Sequence, residues 1–354
     1  MKQQEKTLPI KSMREAIQEA KDLINLERSG KITGLYTRWS KVNKALMKYL
    51  RFRSVTCIAG MSGSGKSAIL NMIEDDFTNP ELNPSFVGKI TLLAFKYEMD
   101  ASDEILRNLS GKVKKSYSYL LSSEAIGEGK EYNKITDEEA ACYERELDKL
   151  ENRPIKYIEN AGNLEQLWNT CVKEYQENPN KRLIVTIDHT LLSQKLSEKD
   201  DLELAANTAQ VAIRLRKYLN AIVIFINQLN GEIEKPIRRE NPSMHYPVKT
   251  DIHCGNQIYW ACDNVFIFHR PEILHILKYG NVEPLNTKNL IHGALIKSKK
   301  NKIGNLFFEQ RFNEGNMVQI NKESKIYKSE SFNFGITLKK DYNLTKKITF
   351  KFVF

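Results

Sequence analysis

One octapeptide constrains this 354-residue chain more than any other feature. Gly60-Met61-Ser62-Gly63-Ser64-Gly65-Lys66-Ser67 has the spacing G-x-x-x-x-G-K-[ST], with an apolar run before it (SVTCIA, Ser54–Ala59) and an apolar-periodic run after it (SAILNMI, from Ser67). The glycines let backbone N–H groups curl around an anion where a Cβ would collide. A helix starting at the end of such a loop turns its positive pole toward the same anion. Lys66 supplies a point charge for the β- and γ-phosphates, and the Ser67 hydroxyl supplies a ligand for Mg²⁺. The strand–loop–helix context separates a working phosphate loop from a chance match. Gly60, Ser62, Gly63, Ser64, Gly65, Lys66, Ser67 and Ala68 are therefore expected to hold ATP with Mg²⁺.

The flanking sequence agrees with that loop. Apolar strand signals at Ile90–Phe95, Pro154–Ile158, Leu183–Ile187 and Ala221–Ile226 alternate with helical periodicity at Ala68–Phe77, Ala101–Val113, Leu164–Glu174 and Leu202–Leu219. Shorter strands are expected at Asn264–Phe268, Ile291–Lys297 and Leu306–Phe308. Strands alternating with helices predict an α/β fold with a mainly parallel sheet flanked by helices. Residues 229–258 read as a long polar loop, and 114–153 as helices with a charged connection. Ahead of the domain, Ser12 and Glu15 form a capping box. Met13, Ala16, Ile17, Ala20, Leu23 and Ile24 then share one face of a helix ending near Arg28. That face packs either on its own domain or on a neighbouring copy. The expected organisation is a disordered stretch 1–11, a linker helix and lead-in segment 12–50, an ATPase domain 51–320 and a basic, unassigned tail 321–354.

Composition narrows the function classes. Apolar residues make up 41% and charged residues 28%, which is a globular balance. No apolar run approaches the roughly 20 residues needed to span a bilayer, and the N-terminus has no secretory pattern. The five scattered cysteines read as reduced thiols, so the expected compartment is the cytoplasm. The net charge of +10 favours a polyanionic partner such as nucleic acid.

Carboxylates and amides at strand ends complete the candidate site, because strand carboxyl ends gather at the ligand edge of such sheets. LIVTID ends in Asp188, placed to hold Mg²⁺ through water. Strand-end aspartates also occur in turns of any α/β protein. Glu98 follows the strand Ile90–Phe95 and is positioned as the base that activates water, with Asp100, Asp103 and Glu104 as competitors. Gln228, after AIVIFI, can sense the γ-phosphate and pass its presence to the next loop, or be simply a solvated amide.

Taken in order, these segments resemble the RecA-like ATPase domain of hexameric replicative DNA helicases of the DnaB type, over about Ser12 to Phe312. KITGLYTRWSKVNKAL (Lys31–Leu46) resembles that family's TG-(V/I)-x-T-G-(F/W) lead-in. LLAFKYEMD is similar to its S-L-E-M strand, whose glutamate is the catalytic base and maps onto Glu98. IVTIDHTLL is similar to I-D-Y-L-Q, and FINQLNGEIEK to L-S-Q-L-N-R, with the sensor glutamine at Gln228. Asp251–Asp263 has the length of a family segment lining the DNA channel, and LIKSKKNKIGN resembles I-x-K-x-R-x-G-x-x-G. There Lys297 matches the lysine, and Lys299 stands where the family has an arginine finger. Lysine lacks the bidentate fork of arginine, so Lys300 and Lys302 are alternatives. His253 and Cys254 replace the arginine and glutamate of the channel segment, and Gly231 replaces the arginine after Q-L-N.

The resemblance implies a homohexameric ring around single-stranded DNA, with ATP between subunits and Lys297/Lys299 reaching the neighbour's γ-phosphate. The linker helix would dock on the adjacent copy. Lys195, Arg238, Arg239, Lys249 and His253 are the candidate DNA contacts. The family's N-terminal primase-binding domain is not expected in so short a lead-in, which suggests a divergent, phage-type helicase acting with a primase or helicase loader and no membrane. A RecA-like recombinase or recombination mediator, or a non-motor helicase loader, would share the core carboxylates and the phosphate loop.

Overall fold

Six strands of the central sheet run in one direction, which brings their carboxyl ends to a single edge. The computed structural model describes residues 10–121, 135–190, 193–195, 198–281 and 284–320. Within them the main sheet comprises β1 (Ser54–Gly60), β2 (Ile90–Lys96), β3 (Ile155–Ile158), β4 (Arg182–Asp188), β5 (Ile222–Gln228), β6 (Asn264–His269), β7 (Leu290–Ser298), β8 (Gly304–Arg311) and β9 (Asn316–Gln319). The spatial order is β9-β8-β7-β6-β1-β5-β4-β2-β3. The segment from β6 to β3 is parallel throughout. β7, β8 and β9 extend it antiparallel. The expected fold class and mainly parallel sheet are what the structure shows. The expectations for residues 1–9, for 122–134 and for the tail 321–354 fall outside the described residues.

The central strands are buried on both sides, as parallel strands covered by crossover helices must be. Every residue of β1 and β2 is buried. Alternate side chains feed two cores. Ile58, Leu92, Ala94, Ile184 and Ile224 face one way, onto Ile69, Leu70 and Phe77 of α2 (Lys66–Thr78). Cys57, Leu93, Val185 and Phe225 face the other, onto α5 (Leu164–Glu177) and α6 (Asp201–Tyr218), through Leu167, Cys171, Ala212 and Leu215. α3 (Ala101–Val113) lies at the expected residues, and α4 (Asp137–Glu151) follows it in the chain.

α1 (Met13–Arg28) has the expected capping box, with Glu15 N donating to Ser12 Oγ at 3.3 Å and Ser12 N to Glu15 Oε2 at 2.7 Å. None of its residues is buried, and Met13 is 77% exposed. Packing of the apolar face on its own domain is therefore not observed. Glu27 ties the helix's last turn to Arg51, Thr33 and Tyr49.

The stretch read as a polar loop, 229–258, is folded instead. It contains short helical turns at Gly231–Glu234, Pro236–Glu240, Pro242–Met244 and Lys249–Asp251, and then enters α7 (Gly255–Ala261). An inward ion pair holds these turns. Arg238 donates to both carboxylate oxygens of Asp251, at 2.8 and 3.0 Å, and to the carbonyls of Met244 and Tyr246 at 2.6 and 2.9 Å. Alternation cannot reveal such a segment, because charge pairing organises it rather than an apolar stripe.

Beneath it lies a stack of buried rings, in which Tyr279 O–H and His292 Nδ1 are 2.7 Å apart. Burial, followed by the charges of His292, Arg238 and His245, pushes His269 down to about 3. Burial pushes His292 down to about 4. An unfolded histidine titrates near 6.5, so these two contribute stability that is complete above about pH 6.5 and lost as pH falls toward their folded values. Asp76 and Glu104, raised by burial to about 6 and about 7, pull in the opposite direction. A difference measurement isolates the histidine. In urea titrations, His269→Phe should gain on the wild type by about 1.4 kcal/mol per pH unit between about pH 6 and 4.5. A constant difference across that range would show that His269 is not held neutral.

Candidate functional site

The carboxyl ends of β1, β2, β4 and β5 open into a cleft of about 620 Å³ walled by Ser62, Gly63, Gly65, Lys66, Ser67, Ala68, Glu98, His189, Gln228 and Phe312. Register explains the gathering. Gly60 pairs with Gln228, Lys96 pairs with Asp188, and Ile187 pairs with Phe225, so the phosphate loop, the base candidate, the metal candidate and the sensor candidate all emerge at one edge, with Asp188 level with Ile226 just before Gln228.

The loop has the backbone that a phosphate cradle requires. Gly63 and Gly65 adopt φ of +72° and +88°, where side chains are strained. A Cβ on Gly60 would sit 2.4 Å from Ser64 Oγ and 2.7 Å from the Phe268 carbonyl. Ser64 Oγ is buried without a hydrogen-bond partner. Lys66 Nζ donates to the Met61 carbonyl at 2.7 Å, folding the side chain back across its own loop. Burial lowers the Lys66 pKa, while Asp188 and then Glu98 oppose that shift, which places both carboxylates within electrostatic reach of the lysine.

Asp188 is 2% exposed, and its Oδ1 has no hydrogen-bond partner. An ionised, unsatisfied carboxylate oxygen inside a protein is costly unless a cation completes it. No group of three or more His, Cys, Asp or Glu side chains that could hold a metal occurs among the described residues. Magnesium that arrives on phosphates needs only one or two protein oxygens and keeps much of its water shell. Ser67 and Asp188 fit that requirement. Glu98 is exposed on the cleft wall, as a residue meeting substrate water must be.

Three residues in or beside the cleft escaped the sequence reading. His189 follows Asp188, and its Nε2 lies 2.6 Å from Gln228 Nε2, joining the ends of β4 and β5. Burial lowers the His189 pKa, with Asp188 and Glu98 raising it and Lys66 lowering it. The other two are Arg270 and Phe312. Arg270 Nη1 donates to the Gly63 carbonyl at 2.9 Å, and its guanidinium carbon is 5.7 Å from the Phe312 ring centre. That ring lies 2.2 Å from where a Gly65 Cβ would be. The guanidinium and the phenyl ring thus form a cation–π pair at the lip of the phosphate loop, with the ring on the cleft wall. Their signal was too diffuse to find, since they lie some 200 and 250 residues beyond the loop in sequence.

Lys297 and Lys299 are placed elsewhere. Ser298 pairs with Asn264, the first residue of β6, whereas Phe268, near the end of β6, pairs with Gly60. The two lysines thus occupy the amino edge of the parallel strands, away from the chain's own cleft. Lys299 Nζ is 2.9 Å from Asp263 Oδ1, and Lys297 Nζ donates to the Tyr259 carbonyl while lying 4.5 Å from that residue's ring centre. Among the cations assigned to nucleic acid, Lys195 pairs with Asp201 at 2.7 Å, His253 lies 3.6 Å from the same carboxylate, and Lys249 sits 4.7 Å over Tyr259. The Arg239 side chain is exposed. Arg238 needs correction as a backbone contact, because Asp251 and two carbonyls occupy its guanidinium.

Gly65→Ala tests the cradle. Positive φ strain of about 1–3 kcal/mol and the collision with Phe312 should weaken binding of a fluorescent ATP analogue at least tenfold. Gly65→Ala/Phe312→Ala should recover part of that loss by relieving the collision. Unchanged affinity in Gly65→Ala would mean that the triphosphate does not bind this loop.

Comparison with known proteins accords with this arrangement. The curated proteins gave no sequence match. Many solved structures are similar in fold, two of them as follows. One, an ATPase domain, has a TM-score of 0.70 at 16% identity, covering 88% of this chain and 100% of that one. The other, a DnaB-like replicative helicase described with its interactions with primase, has a TM-score of 0.67 at 17% identity, covering 88% of this chain and 67% of that one. Residues 34–314 match the family described as DnaB-like helicase C terminal domain. That match spans well over half of the sequence and includes the phosphate loop, both candidate carboxylates and both amino-edge lysines, and the chain accordingly belongs to the DnaB-like helicase C-terminal domain family.

Proposed function

We propose that this chain is the motor of an ATP-dependent replicative DNA helicase, working as a hexameric ring that moves along single-stranded DNA and separates the duplex at a fork. The observation that carries the reading is the split of functional groups between the two edges of one sheet. The phosphate loop, Glu98, Asp188 and Gln228 lie at the carboxyl edge, and Lys297 and Lys299 lie at the amino edge. A site made of both halves requires a second copy, whose amino edge faces the first copy's nucleotide.

In this mechanism the amides of Gly60–Ser67 and Lys66 hold the phosphates, and the Phe312 ring, braced by Arg270, offers a surface for the base. Ser67 and Asp188 would hold Mg²⁺, which supplies charge neutralisation to the β- and γ-phosphate oxygens. Glu98 accepts a proton from the attacking water. Lys299 of the adjacent copy stabilises charge on the transferred phosphoryl group as a point charge, with Lys297 beside it. Gln228 reports the γ-phosphate outward through contacts in the folded chain. Asn227 Nδ2 donates to the His253 carbonyl at 2.8 Å, and His253 N donates to the Gln228 carbonyl at 2.9 Å. The strand end that senses phosphate is thereby tied to the segment assigned to DNA. Lys195, Arg239, Lys249 and His253 remain the proposed DNA contacts, and their binding would be salt-dependent and tolerant of sequence. The open face of α1 would dock on the neighbouring copy. A primase or loader belongs to the same proposal.

A forked-duplex assay decides it. Wild type with ATP and Mg²⁺ should separate the strands, while Lys66→Ala and Glu98→Gln should each lose at least a hundredfold in ATP turnover and all measurable unwinding. A wild type that hydrolyses ATP and forms open filaments without separating strands would point to a recombinase. One that assembles and barely hydrolyses would point to a loader.

A further inference from the structure

Lys96 is the residue whose chemistry is least expected for its position. It ends β2, two residues before Glu98, and it is 1% exposed. Its Nζ lies 3.0 Å from Glu74 Oε2 on α2 and 3.7 Å from Glu104 Oε2 on α3. Both glutamates are as deeply buried as the lysine. Such a triad costs desolvation energy that an apolar trio would avoid, so its retention calls for a role other than stability. Burial would strip the proton from Lys96, but Glu74, Glu104 and Asp188 outweigh it and hold the lysine charged.

The geometry points to a positioning role. Glu98 sits in the short connection between β2 and α3, and the triad brackets that connection by charge attraction, with Lys96 at one end and the Glu104 carboxylate, 3.7 Å from the ammonium and without a hydrogen bond among the described residues, at the other. The same ammonium holds α2, the helix that begins at the phosphate loop. Asn71 on that helix repeats the tie, its Nδ2 donating to the Glu104 carbonyl at 2.9 Å. Asp188 is the direct cross-strand partner of Lys96, and its carbonyl accepts from Tyr97 N at 2.8 Å. Four elements that must keep register during hydrolysis therefore meet at one buried cation.

We propose that the Glu74–Lys96–Glu104 triad is a positioning device that fixes the Glu98 carboxylate relative to the phosphate loop and to Asp188. This inference rests on the assignment of Glu98 as the base. It predicts that neutralising the triad moves the base without emptying the nucleotide site. A misplacement of about 1 Å can cost about a hundredfold in rate.

The test uses the full chain with single-stranded DNA and Mg-ATP, measuring single-turnover hydrolysis, KM and the affinity for a fluorescent ATP analogue. Replacing all three charges together, Lys96→Met/Glu74→Gln/Glu104→Gln, avoids leaving one buried charge without a partner. Should that variant fail to fold, Glu104→Gln alone keeps the 3.0 Å Lys96–Glu74 pair and should give the same pattern at smaller amplitude. The expected result is kcat lower by about 10- to 100-fold with nucleotide affinity and KM within about threefold. In a Glu98→Gln background the triad substitutions should cause no further loss, because the group they position is already gone. A folded triad variant with unchanged kcat overturns the inference, as does an equal additional loss in the Glu98→Gln background. If Glu98→Gln alone leaves kcat intact, the base assignment fails and takes the inference with it.

Discussion

The common direction of six strands is the constraint on which the site depends. Parallel pairing sends each crossover through a helix and returns each strand to the same starting edge, so successive strands deliver their ends together. Gly60, Lys96, Asp188 and Gln228 reach one edge of the sheet through register alone. Antiparallel β7 reverses that direction, which is why Lys297 and Lys299 end at the opposite edge. One topological fact thus produces both a nucleotide cleft and a pair of cations remote from it. In the proposed ring, identical copies would turn that separation into a complete site.

Charge, in addition to apolar packing, organises the helix that starts at the phosphate loop. The second half of α2 carries Glu74, Asp75 and Asp76, all buried and each answered by a cation from another element. Arg38 reaches both Asp75 and Asp76, at 2.9 and 2.7 Å, and so secures the lead-in segment to the phosphate-loop helix. Removing one partner of such a pair would leave an uncompensated buried charge, which costs more than the pair itself contributes. The helix that starts at the phosphate loop is consequently held by directional contacts on several sides, as a cradle that must not shift requires.

Much of this was legible before the coordinates. Apolar runs located the strands, and the bounds of α3 followed from periodicity. The phosphate loop was read from glycine spacing, and Glu98, Asp188 and Gln228 from their places at strand ends. What escaped has physical reasons. Arg270, Phe312 and His189 act through proximity created by folding, with no local spacing to mark them. The turns of 229–258 are held by Arg238 and Asp251, thirteen residues apart, and neither carries a periodic signal. A cation in sequence looks the same whether it faces solvent or a carboxylate, so Arg238 read as a surface contact and proved to be an internal brace. Lys96 was passed over for the converse reason, since one lysine closing an apolar strand resembles a solvated end.

All of the chemistry above turns on whether Gly60–Ser67 holds a triphosphate whose metal is completed by Ser67 and Asp188. A cryo-electron microscopy structure of the full chain with Mg²⁺, a non-hydrolysable ATP analogue and single-stranded DNA would decide the matter. Phosphates should be enclosed by the loop amides, with Mg²⁺ near Ser67, Asp188 behind its water shell, and the base against the Phe312 ring. Nucleotide density elsewhere, or a loop left empty at saturating analogue, would refute the assignment.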